Sequence, residues 1–187
     1  MMKELARLWN LAILMLMATH IVACQASNSE HPQASSSQAS IVAAPAKAIV
    51  PSIRYVSLSR TACYGTCPVY SVTIDADGSI TFQGREFVKS LGKQTKHSET
   101  AFAAVTKLVQ ESGFAQWKER YVNAADGCRE HWTDNPSLFI VVDYGDHQKN
   151  LHYYRGCRGL EVGEQILKLA EGIDRAADVA RWIGKEN

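Results

Sequence analysis

From Arg60 to Tyr70 the chain reads Arg-Thr-Ala-Cys-Tyr-Gly-Thr-Cys-Pro-Val-Tyr, so Cys63 and Cys67 flank Gly65 and Pro68 follows directly. Two thiols at this spacing have three chemistries open to them. They can close into a structural disulfide, exchange with other disulfides, or clamp a soft ion such as Cu(I). In an extended strand the two residues would stand ~13 Å apart, beyond disulfide reach. A turn through Tyr64, Gly65 and Thr66 would bring them together, with Gly65 placed to permit it.

Each chemistry has its own requirement. A working thiol pair needs its attacking thiolate at a helix N-terminus, where the dipole lowers the pKa. Here Pro68 opens an alternating strand pattern, so that stabilisation is missing. For metal, Cys63-x-x-x-Cys67-Pro68 resembles the copper motif of the Sco-type cytochrome oxidase assembly proteins, with His131, His147 or His152 available as a distal ligand. Those proteins carry the motif in a thioredoxin fold before a helix, and no βαβ pattern surrounds it here. Hydrolytic chemistry would draw on Asp126, Glu130, Asp134, Asp143 and Asp146, which are scattered near turns. No nucleophile elbow, phosphate-binding glycine loop or metalloprotease helix motif accompanies them. No catalytic residue, metal ligand or cofactor is assigned.

The remaining cysteines are Cys24, Cys128 and Cys157. Cys24 belongs to a targeting segment. Lys3 and Arg7 form a positive start, and Leu8–Thr19 is an apolar stretch too short for a comfortable transmembrane helix. The segment ends Ile21-Val22-Ala23-Cys24, which resembles the lipobox of bacterial lipoproteins. The resemblance implies cleavage after residue 23, a diacylglycerol thioether on Cys24 and an acylated amino terminus, enough chains for stable anchoring. An ordinary secretory signal with an incidental cysteine is the alternative. Gln25-Ala26 carries no aspartate that would signal inner-membrane retention, so the expected place is the outer membrane, with the domain facing the periplasm. Residues 24–50 are rich in Ser, Ala and Gln without periodicity, the composition of a disordered tether. Its coil dimension is roughly 30 Å.

The folded part is therefore expected over residues 51–187. Ile53–Ser59 reads as a strand. Tyr70, Val72 and Ile74 alternate with Ser71, Thr73 and Asp75; Asp77-Gly78 turns the chain; Ile80 and Phe82 continue the apolar face. Ser98 reads as an N-cap with Glu99 in the first turn, and Phe102, Val105, Leu108 and Val109 keep helical spacing up to the stop at Gly113. Leu138–Tyr144 and Asn150–Tyr154 form a second hairpin. Val162, Ile166, Leu167, Leu169, Ala170 and Ile173 mark a second helix, and Trp182 a core anchor in a last short turn. The expectation is an α+β domain, an antiparallel sheet of about five strands in the order βββαββα with helices on one face.

Four cysteines in an exported domain suit two disulfides, with three pairings possible. Cys63–Cys67 with Cys128–Cys157 is the favoured set, since Cys128 and Cys157 sit at the entrance and exit of the second hairpin; crossed pairings stay open. The net charge is +1 over 187 residues, and without Lys3, Arg7 and Glu4 the two signs balance. No basic run interleaves with aromatics, so no nucleic-acid partner is expected.

The run Arg60–Tyr70 followed by Asp77-Gly78 resembles the opening signature of a bacterial domain-of-unknown-function family, number 6438. The likeness continues through Phe87-Val88, Thr133-Asp134-x-Pro136 and Tyr154-x-Gly156-Cys157, covering most of Pro51 to Ile183. Members are typically exported or lipid-anchored, and the resemblance implies no reaction and no catalytic residues. The leading reading is a lipid-anchored, disulfide-stapled envelope domain that binds or braces something, held to the membrane through Cys24, its further partner unspecified. The alternative is a thiol-disulfide or copper-handling protein using Cys63 and Cys67.

Overall fold

Alternation sets up the first half of the domain. The computed structural model describes residues 52–184, so the signal segment 1–23, the lipidation expected at Cys24 and the tether 24–50 lie outside the described residues. Strand β1 (Tyr55–Arg60) runs antiparallel to β2 (Val69–Asp75), which turns at Asp77-Gly78 into β3 (Ser79–Glu86). Asp77 Oδ1 accepts the Ser79 N–H at 2.8 Å, and Gly78 sits at φ +84°, a left-handed conformation that suits glycine. Strand β4 (Gly92–His97) adds to β3, and helix α1 (Ala101–Ser112) follows.

After a 3₁₀ turn at Phe114–Gln116, the two-residue β5 (Arg120–Tyr121) leads through a second 3₁₀ turn to β6 (Glu130–His131). Then come the hairpin β7 (Ser137–Asp143) and β8 (Gln148–Tyr154), the short β9 (Cys157–Arg158), α2 (Gly163–Ala177) and the single turn α3 (Ala180–Ile183). The main sheet has seven strands in the order β4-β3-β2-β1-β7-β8-β5, and β6 pairs with β9 apart from it. Every pairing is antiparallel except β5 with β8.

Register explains the core. Ile80, Ile74, Val56 and Val142 face one another across four strands, and beside them run Phe82, Val72, Leu58, Ile140 and Leu151. All are essentially inaccessible. Val105 and Val109 of α1 and Ile166, Leu169 and Ile173 of α2 cover this face. Each such side chain contributes roughly 1.5–3 kcal/mol by leaving water. Gly172 lets the helices close on each other: a Cβ there would stand 2.7 Å from Leu108 Cδ1. The other sheet face, with Ser57, Ser71, Thr73 and Thr81, is only half-buried.

The α+β class holds, with corrections in detail. The sheet has seven strands rather than about five, and the order βββαββα lacks β4 and β5. Gly92–His97 contains no apolar side chain; it is a strand because β3 offers a free edge, and its lysines suit an outermost strand. Arg120–Tyr121 is too short to show any period. The N-cap of α1 is Thr100 rather than Ser98, which displaces Glu99 from the first turn; Gly113 does end the helix, at φ +73°.

Candidate functional site

Five strands present their ends along one rim of the sheet, and the cysteine loop lies there. Between Arg60 and Val69 the chain turns back through Cys63–Cys67, paired with Cα atoms 5.7 Å apart. Gly65 holds φ +139°, a conformation closed to other residues without strain. The loop is pinned to the segment before β7. Thr61 N–H donates to the Ser137 carbonyl at 3.1 Å, Ser137 N–H to Thr61 Oγ1 at 2.8 Å, and Tyr64 N–H to the Asp134 carbonyl at 3.1 Å. Thus braced, Tyr64 stands 90% exposed. Pro68 leads into β2 and not into a helix, so neither sulfur receives a helix dipole.

Cys128 pairs with Cys157, Cα atoms 5.0 Å apart, across a separation of 29 residues that encloses the β7–β8 hairpin. Both are buried, where the Cys63–Cys67 pair is only half so.

Beneath the cysteine loop is a groove of about 930 Å³. Its floor is a polar trio. Arg60 donates to Asp174 Oδ2 from Nη2 at 2.6 Å and from Nε at 3.1 Å, and Tyr70 Oη donates to Oδ1 at 2.8 Å. The elements make this meeting compulsory. Arg60 ends β1, Tyr70 lies opposite it in β2, and α2 brings Asp174 on the same stripe as Leu167 and Glu171, spaced to share one helix face. Tyr70 is held from behind by the Phe82 ring at 5.3 Å, itself stacked on Trp182 at 5.0 Å.

Burial works on all three groups. It raises Asp174 above the usual carboxylate range against the attraction of Arg60. It also opposes the charge of Arg60, but Asp174 and Tyr70 outweigh it and hold the guanidinium above its ordinary value. The Tyr70 hydroxyl is pushed up by burial and by the neighbouring carboxylate, so it remains a neutral donor. The floor is an ion pair with a phenol attached.

One end of the groove carries Phe87, half exposed at φ +52°, a region bulky residues avoid. Its loop is clipped to the end of α3, where Lys89 N–H donates to the Ile183 carbonyl at 3.3 Å and Ser90 N–H to the Trp182 carbonyl at 2.9 Å. Pro136 and exposed Arg155 close the other end. A second depression, about 500 Å³, runs past Trp117, Tyr121 and Leu160. Its Asp126 is already engaged by the N–H groups of Val122 and Asn123 and by Arg120.

The other sequence candidates are dispersed. His131 stacks on Tyr154, His147 on Tyr144 and His152 on Phe139. Glu130 accepts the Trp132 indole N–H, Asp134 binds Thr133, Asp146 binds His147, and Asp143 forms a bidentate pair with Arg54. Among the described residues no group of three or more His, Cys, Asp or Glu side chains is placed to hold a metal ion. Sequence reasoning missed Arg60, Tyr70 and Asp174 as a unit. The first two flank the cysteine motif, but Asp174 carries no local signal. In sequence it is one more polar position of an amphipathic helix.

Residues 54–176 match the family described as a domain of unknown function, DUF6438. The span takes in both disulfides and the whole polar trio. A comparison with curated proteins finds no match.

Proposed function

The chain belongs to the DUF6438 family, whose description names no reaction, and from that premise we propose that it is a binding module of the bacterial envelope, anchored in the outer membrane by lipid on Cys24 and braced by its two disulfides. The groove under the cysteine loop is its binding site. The observation that carries this reading is the rim itself. Tyr64 and Phe87 expose aromatic surface on either side of a groove with a rigid, polar floor, the arrangement expected of binding hot spots.

Two further features support it. Disulfides persist in oxidising compartments, which an exported domain occupies. The described chain begins at Ser52, beside Gly145, where Arg54 N–H donates to the Asp143 carbonyl at 2.8 Å. Strand β1 then rises about 20 Å to Arg60. The groove therefore lies at the end of β1 opposite Ser52, where the described residues begin. Among the described residues no helix is long and apolar enough to cross a membrane.

The anchor is tested by growing expressing cells with a clickable fatty acid. Label on the full chain that is absent from Cys24→Ala supports it. No label, or label that survives the substitution, removes the lipid from the account.

A further inference from the structure

Resting on the reading of the groove as a binding site, we propose that its ligand is an extended peptide with a free carboxyl terminus and a bulky apolar side chain about five residues before it. The argument begins with length. Phe87 follows β3 and Arg155 follows β8 at the same end of the sheet, four inter-strand steps apart. That is about 19 Å, the reach of five or six extended residues.

Polarity follows. Phe87 places apolar surface at the β3 end, Tyr64 stands over the groove on the β7 side, where its N–H is bound to the Asp134 carbonyl, and Arg155 sets an exposed guanidinium at the β8 end with no ion-pair partner among the described residues. Between them Arg60 spends Nε and Nη2 on a single oxygen of Asp174, and its Nη1 has no acceptor among the described residues. It is free to donate to a carbonyl. The backbone groups of Gly65 and Thr66 make no hydrogen bond among the described residues either, and they line the groove. An extended main chain offers both donors and acceptors to such groups. A guanidinium at the closed end recognises the terminal carboxylate.

The test is affinity selection of a pooled hexapeptide library by the purified full-length chain, read by mass spectrometry. The same library with amidated termini, N-acetylglucosamine oligomers and dodecanoate serve as the other probes. The expected result is capture of peptides with an aromatic or branched apolar residue at their first or second position. Amidation lowers capture about tenfold. Tyr64→Ala, Phe87→Ala and Arg155→Ala each lower it about tenfold, and Thr73→Ala on the open sheet face leaves it unchanged. Capture indifferent to amidation and to Arg155→Ala overturns the carboxylate assignment. Binding of the glycan or the fatty acid alone, lost in Tyr64→Ala, overturns the peptide and leaves the groove standing as a site. Failure of all the probes overturns the peptide inference, and the groove as a site is then judged by crosslinking from Tyr64.

Discussion

Tyr70 and Asp174 lie 104 residues apart in the chain and meet through a 2.8 Å hydrogen bond, with Arg60 closing on the other carboxylate oxygen. Both charged side chains are about one-fifth exposed. Removing the carboxylate therefore leaves a guanidinium in a partly dry site and a phenol without an acceptor. Asp174→Ala is expected to cost about 3 kcal/mol in chemical denaturation. Glu111→Ala, which breaks the exposed i,i+4 pair with Lys107, is expected to cost under ~0.5 kcal/mol. Equal losses would show the trio to be superficial.

The two disulfides should separate in both energy and accessibility. By chain-entropy arithmetic, Cys63→Ser with Cys67→Ser costs about 2 kcal/mol and Cys128→Ser with Cys157→Ser about 3.6 kcal/mol. Under graded reductant, alkylation followed by peptide mapping should find Cys63 and Cys67 first, since Cys128 and Cys157 are buried. A brace should also resist glutathione at cytosolic ratios. A Cys63–Cys67 bond that opens readily in glutathione would favour the thiol-handling alternative.

Asp143 and Asp174 are expected to pull stability in opposite directions with pH. Hydrogen bonds from Arg54, then from Gln148 and the Gly145 N–H, outweigh burial and hold Asp143 well below the usual carboxylate range. Its contribution is present above about pH 4 and is lost as pH falls through the lowered folded value. Asp174 is raised by burial, so its contribution is complete below about pH 4 and lost as pH rises through the raised folded value. Denaturation midpoints measured against pH should show a flattened acid limb in Asp143→Asn. In Asp174→Asn the decline above pH 4 should be the part that flattens.

Phe87 joins strain to exposure. A side chain at φ +52° costs about 1–2 kcal/mol, and a ring that is 52% exposed recovers little of it by packing. Phe87→Gly is expected to raise stability by about 1 kcal/mol in thermal or chemical melts while weakening ligand capture. Loss of stability would mean that the ring braces the groove rather than serving it.

How much of this was legible in the sequence depends on how local each signal is. The β2–β3 hairpin could be read because Tyr70 to Phe82 alternates and Asp77-Gly78 punctuates it. Gly113 as a helix stop and Trp182 as an anchor were likewise written in residue type. Strand β4 was not, because its six residues follow no apolar period and pair only because β3 leaves an edge open. The groove was least legible of all. Its walls come from the cysteine loop, the β3–β4 loop, the segment before β7 and one face of α2, and no single stretch records their meeting. The cysteine motif marked one wall and suggested chemistry; in place its disulfide closes the loop that carries Tyr64.

The central claim, that this groove is where the protein meets its ligand, is tested most directly by photo-crosslinking in living cells. A photoreactive phenylalanine analogue is placed at Tyr64 in one full-length variant and at Thr73, on the open sheet face, in another. The account predicts a discrete crosslinked species from Tyr64 that disappears in the added presence of Phe87→Ala, and none from Thr73. A species formed from Thr73 and not from Tyr64 would contradict it.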